Sequence, residues 1–191
     1  MHTPAAPRSA ETAERIGILL VNSGTPETPT AAGVRAFLRR FLADPRVVEL
    51  PRTVWLPLLY GVILPLRPRR VAAKYRKIWS SAGSPLRELT EKLRAELTQV
   101  LAQRVLAPLT VETGMLYSAP ELRGALERLR DGGAGRILVL PLFPQYCGAT
   151  TGAAFDAVSR ELRAWRHLPQ LHFVADYHDH PGYIEALRQS V

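Results

Sequence analysis

Residues 138–155, LVLPLFPQYCGATTGAAF, run from a continuous apolar stretch through two prolines and small polar residues into a segment with helical spacing. An apolar run without polar alternation is the pattern of a strand covered on both faces, and a strand that feeds a helix belongs to an open α/β sheet. Residues 16–22, IGILLVN, make a second such run and end in Ser23-Gly24-Thr25-Pro26. At both places the chain leaves the carboxyl end of a strand for a helix. Free backbone N–H groups and a positive local dipole favour ligands there.

The rest of the chain continues the alternation. Thr30 is placed to cap a helix carrying Val34, Phe37, Leu38, Phe41 and Leu42, which Asp44-Pro45 closes. Prolines at 51, 57 and 65 divide an apolar stretch over 47–66, which predicts short helical turns and loops with a hydrophobic surface. A helix is expected over 69–79. A second follows Gly83-Ser84-Pro85, with Leu86, Leu89, Leu93 and Leu97 on one stripe. Strands over 111–117, 136–142 and 171–175 alternate with helices over 120–130, 150–165 and 181–191. The fold class is therefore α/β, with a mainly parallel four-stranded sheet flanked by helices and joined by right-handed crossovers.

Composition narrows the function. At 191 residues and 47% hydrophobic content the chain suits one substantial core. Lysine occurs only at 74, 77 and 92, so the net charge of +8 is mostly arginine, a side chain suited to carboxylates and phosphates. Pairs such as Arg87-Glu88 and Arg160-Glu161 read as solvated helix faces, not as a nucleic-acid surface. Cys147 is the only cysteine, which excludes an internal disulfide, a thiolate zinc cage and a four-cysteine iron–sulfur cluster within one chain; a reducing cytoplasm fits. Residues 1–14 read as a disordered lead-in, and the apolar run 54–66 falls short of the roughly 20 residues a bilayer span needs.

Several groupings bear on chemistry. Gly24 permits close backbone approach to a ligand beside Ser23. Gly148–Gly152 offers amides and the hydroxyls of Thr150 and Thr151 to an anion, but no lysine follows as a nucleotide P-loop requires. His178, Asp179 and His180 carry ligand-type side chains, while a polar surface loop with Asp179 as a helix cap is the commoner use of such a segment. Tyr75, Arg76 and Trp79 combine base and aromatics on a helix whose aromatic rings also suit core packing.

Taken together, VNSGTP (21–26), FLADPRVVE (41–49), LPLRP (64–68), KYRKIW (74–79), GSPL (83–86), LPLFPQY (140–146), TTG (150–152) and DYHDHPGYI (176–184) resemble the bacterial ferrochelatases, in the same order. The resemblance implies insertion of ferrous iron into protoporphyrin IX, the last step of haem biosynthesis, by a lyase with two Rossmann-like domains and the porphyrin between them. It implies that residues 15–175 form the first domain, that 47–66 form an apolar lip, and that 176–191 begin the connection to a missing C-terminal domain. Porphyrin-binding roles fall on Ser23 against the macrocycle, on Arg67, Tyr75 and Ser84 around the ring and its propionates, and on Tyr146 and Thr150 at the inner wall. The catalytic histidine and glutamate of the family are expected beyond Val191, so no catalytic residue and no metal ligand is assigned here. Iron and porphyrin enter as substrates, with no permanently bound cofactor and no iron–sulfur cluster. Nucleic acid is not an expected partner; peripheral membrane contact through the lip and a cytoplasmic location are. Bacterial relatives usually carry arginine where Leu116 stands, which suggests a cation lost from the cleft. A porphyrin- or haem-binding module without catalysis is the alternative reading.

Overall fold

The computed structural model describes residues 15–190. The lead-in proposed for residues 1–14 lies outside the described residues.

Four parallel strands form one sheet: β1 (Arg15–Asn22), β2 (Leu109–Met115), β3 (Ala134–Pro141) and β4 (Gln170–Phe173), in the order β2-β1-β3-β4. The run 16–22 thus takes the centre, and its side chains from Ile18 onward are buried on both faces as the absence of alternation requires. Because β2 and β3 flank β1, the chain winds one way from β1 and then back across it. The switch point lies between the carboxyl ends of β1 and β3, where Leu142 N–H donates to Val21 C=O at 2.7 Å.

The helices are α1 (Ala31–Leu42), α2 (Arg52–Leu58), α3 (Leu64–Ile78), α4 (Pro85–Arg104), α5 (Leu122–Asp131), α6 (Ala153–Leu162) and α7 (Pro181–Ser190). Thr30 caps α1 as its residue type predicts, accepting from Gly33 N–H at 3.1 Å. On one face of the sheet Leu19, Val21, Ile137 and Val139 pack with Leu122, Leu126 and Leu129 of α5 and Ala154 and Val158 of α6. On the other, Ile18, Leu20 and Val111 meet Leu97 and Leu101 of α4. Each such leucine, taken fully from water, contributes about 1.5–3 kcal/mol.

Two sequence expectations are corrected. From Arg52 on, the stretch expected as short helical turns and loops over 47–66 is continuous helix: α2 runs through a π-helical turn, Leu59–Ile63, directly into α3, five residues earlier than the helix expected at 69. Pro65 follows the π turn, where the ladder is already shifted because Leu64 N–H reaches back five residues to Leu59 C=O, and Pro57 is carried inside α2. Trp55, Leu59, Leu64 and Ala72 then bury against Val34 and Leu38 of α1. The second correction is the α4 stripe. The helix turns Thr90, Leu97 and Leu101 inward, and Leu89 stays 63% exposed and Leu93 42%.

No described helix is long and apolar enough to cross a membrane.

Candidate functional site

Since all four strands run parallel, the loops after β1, β2, β3 and β4 emerge along one edge of the sheet. Of the six positions expected to bind porphyrin, Ser23, Tyr146 and Thr150 lie in or just after those loops and Ser84 is hydrogen-bonded to the first of them through Thr25.

After β1 the backbone turns sharply at Gly24, whose φ of +93° favours glycine. Ser23 is half-buried; its N–H donates to Asn22 Oδ1 at 2.8 Å, and its carbonyl accepts from Tyr117 N–H at 3.1 Å. Thr25 is buried and joins three elements. Its N–H donates to Ser118 Oγ at 3.1 Å, and its Oγ1 accepts from Ser84 Oγ at 2.9 Å. Ser84 therefore opens α4 as a buried residue whose only proton goes to Thr25. Tyr75, on the last turns of α3, stands edge-on to Trp79 at 6.2 Å between ring centroids, and burial pushes its phenol above the usual tyrosine range. The Tyr75 ring packs on the α1–α3 core, the packing role its residue type suggested.

Tyr146 and Thr150 form a second group. The loop after β3 enters α6 through a π-helical turn, Gly148–Gly152, so α6 proper begins three residues later than expected, at Ala153. Thr150 Oγ1 donates to Cys147 C=O at 3.3 Å, and Tyr146 is exposed. Tyr146 borders an open hollow of about 330 Å³ with Arg46, Thr151, Phe155, Phe173 and Ala175. Arg46 holds Asp156 in a two-point pair at 2.7 and 3.1 Å, which draws that carboxyl below its usual range. The same turn is tied to the β2 loop, because Tyr117 O–H donates to Asp44 Oδ2 at 2.9 Å; burial first, then the Asp44 charge, push the Tyr117 phenol far up.

Arg67 stands apart on α3, exposed, with no hydrogen bond or ion pair among the described residues. No side-chain hydrogen bond or ion pair joins it, the Thr25 group and the Tyr146 group to one another among the described residues, so only a ligand spanning the edge of the sheet would touch all three.

The charge map departs from the sequence expectation. Residues 50–87 carry eight basic residues and no acidic one, so the chain's whole excess of +8 resides in this fifth of it. Arg67, Arg69, Arg70, Lys74, Arg76 and Lys77 of α3 form no ion pair among the described residues, whereas Arg40, Arg46, Arg123 and Arg128 are matched by Glu121, Asp156, Glu161 and Glu112. Beside these cations Val54, Leu58, Tyr60, Val62 and Leu66 are exposed. A tally of charge by segment would have found this patch; a tally by neighbouring pairs hides it.

Two further positions resolve. Leu116 packs against the α5/α6 core and borders a hollow with Glu121, Arg123, Arg160 and Glu161. In the loop after β4, His180 and not Asp179 caps α7, accepting from Gly182 N–H at 3.1 Å. Asp176, His178 and Asp179 bring ligand-type atoms within 4.8 Å of one another, all exposed, an arrangement that acidic surface loops also adopt without an ion.

The sequence model of the ferrochelatase family matches residues 15–191. This chain belongs to the ferrochelatase family. It is 51% identical over 180 residues to a ferrochelatase of Aromatoleum aromaticum, covering 94% of this chain and 49% of that protein. It is 50% identical over 190 residues to one of Methylibium petroleiphilum, covering 100% and 52%. Against "Ferrochelatase 2" of Shewanella oneidensis the identity is 45% over 177 residues, covering 93% and 54%. The chain thus spans about half the length of the curated relatives it matches. The four-stranded parallel sheet with flanking helices agrees with the Rossmann-like fold that the family resemblance implied.

Proposed function

We propose that this chain is the porphyrin-holding half of a ferrochelatase, which inserts ferrous iron into protoporphyrin IX to give protohaem. The observation that carries the reading is the family match along residues 15–191 to about half of each relative. Iron and porphyrin are substrates of this lyase, and no resident cofactor takes part.

Metal insertion requires loss of two pyrrole protons and a macrocycle held so that its nitrogens face the ion, work suited to a histidine base and a carboxylate. In this reading those groups belong to the second half of the protein, and the present residues hold the ring. Ser23 faces the macrocycle, Tyr146 and Thr150 line the inner wall, and Arg67, Tyr75 and Ser84 serve the propionate side. The unpaired cations of α3 support a dicarboxylate ligand, because a guanidinium without an internal acceptor is free to take a carboxylate. The exposed apolar ridge of α2 and the following turn, set beside those cations, supports peripheral docking of the cytoplasmic protein on an anionic bilayer.

The test is complementation. The purified chain is mixed with the C-terminal half of the Aromatoleum aromaticum ferrochelatase, and ferrous iron and protoporphyrin are supplied. The chain alone is expected to shift the porphyrin spectrum saturably without forming haem, and the mixture to form haem. Porphyrin binding without haem formation in the mixture would favour the non-catalytic binding module, and absence of porphyrin binding would refute both.

A further inference from the structure

The two faces of the sheet are covered unequally. One carries two helices, α5 and α6, over Leu19, Val21, Ile137 and Val139. The other carries Leu97 and Leu101 of α4, and α4 lies against β2, at one edge of the sheet. The paired row Val111, Ile18, Leu138 and His172 crosses all four strands on that face. Along it Val111 and Ile18 are buried, Leu138 is half-buried and His172 is exposed, so the cover ends at β1. The next row repeats this, with Thr113 and Leu20 buried and Leu140 half-buried. An open hollow of about 230 Å³ borders Leu138, Gln170 and His172. The outer flank of α4 supplies a wall. Leu89, Leu93 and Val100 share a stripe about 80° round the helix from Thr90, Leu97 and Leu101, which face the sheet, and they stay 63, 42 and 44% exposed. A right-handed β1–β2 crossover turns that stripe toward β3. Apolar wall and apolar floor therefore bound one trough over β3 and β4.

Two strands about 4.8 Å apart make a floor about 10 Å wide, the width of one helix. We propose that the trough seats one amphipathic helix from the second half of the protein, its apolar face on Leu89, Leu93, Leu138 and Leu140. This rests on the reading of the chain as half of a ferrochelatase, since the relatives it matches carry about as many residues again. Residues 1–14 are no substitute, because they contain no leucine, isoleucine, valine or phenylalanine with which to make an apolar stripe. The seated helix gives this face the two-helix cover that α5 and α6 give the other. It also fixes the second half against the sheet whose loops carry Ser23, Tyr146 and Thr150.

The test compares the 191-residue chain with a fusion that continues it into the remaining half of the Aromatoleum aromaticum ferrochelatase. Both carry Cys147→Ser, which removes the chain's one exposed thiol. Leu93→Cys and His172→Cys then place a thiol on either side of the trough, and Asp131→Cys places one on α5 of the opposite face. Reaction with a maleimide is followed by peptide-resolved mass spectrometry, with haem formation and sedimentation measured alongside. In the chain alone all three thiols are expected to react at similar rates. In the fusion Leu93→Cys and His172→Cys slow by at least about tenfold, and Asp131→Cys changes by less than about twofold, because a covered thiol is inert. Unchanged rates at Leu93→Cys or His172→Cys in a fusion that forms haem would overturn the inference and leave the ferrochelatase reading standing. Equal slowing at all three positions would overturn it as well, as would slowing already present in the chain alone with the sedimentation of a dimer, which puts a second copy in the trough. Protection without haem upholds the seat and counts against the ferrochelatase reading; neither protection nor haem refutes both.

Discussion

Replacing Gly24 by alanine tests how the β1 loop is held. Two costs arise at this position. A φ of +93° carries roughly 1–2 kcal/mol for an L-residue, and an added Cβ would press on Ser118 Oγ. That oxygen accepts from Thr25 N–H at 3.1 Å, so displacing it strands a buried donor at about 1–3 kcal/mol. Gly24→Ala is thus expected to cost about 2–5 kcal/mol in total, and Ser118→Gly, which removes the acceptor alone, about 1–3 kcal/mol. Because both changes lose the same hydrogen bond, the double variant should cost about as much as Gly24→Ala by itself, with an interaction of about 1–3 kcal/mol. Urea unfolding followed by circular dichroism gives the midpoints and slopes for the four proteins. Additive costs within about 0.5 kcal/mol, or a single-variant cost for Gly24→Ala below that figure, would refute the reasoning.

Leu59→Ala should destabilise the chain by about 2–5 kcal/mol while the adjacent Leu58→Ala changes it by under about 1 kcal/mol, because the π turn buries Leu59 against α1 and leaves Leu58 exposed; urea midpoints separate the two. At alkaline pH, Tyr75, Tyr117 and Tyr177 all have phenols raised in the folded state, so their contribution is fully present below the usual tyrosine pKa of about 10 and is lost as pH rises toward the folded values. Tyrosinate absorbance should accordingly show a late class of phenols that ionises together with loss of ellipticity; early ionisation of every tyrosine in a chain still folded would contradict this. Vesicles containing anionic lipid should co-sediment the protein more strongly than zwitterionic ones, with binding lowered by salt and by Val54→Asp. Equal binding to both vesicle types would remove the charge argument.

The strands were legible because a sheet covered on both faces needs apolar residues at every position, and residues 16–22 show that without ambiguity. Prolines misled the reading of 47–66. They normally break helices, but Pro51 stands at the cap of α2 and Pro65 just after the π turn that shifts the ladder, while Pro57 is carried inside α2. The leucines of α4 misled it as well, since periodicity identifies an apolar stripe without saying what covers it, and Leu89 and Leu93 meet nothing among the described residues that buries them. At the site, Ser84 was visible through the family motifs, whereas its partnership with Thr25 became visible only when α4 was brought against the β1 loop. Leu116, just past β2, was not among the expected core residues, yet it packs beside the α5 and α6 core.

The account stands or falls on where a tetrapyrrole sits. Protoporphyrin IX added to isotope-labelled chain produces large ring-current shifts in nearby amide and side-chain resonances, and these report contact without requiring catalysis. The predicted outcome is that Ser23, Arg67, Tyr75, Tyr146 and Thr150 shift together and saturate at one common affinity. Shifts confined to the α5/α6 face around Leu116, or none at saturating porphyrin, would contradict it.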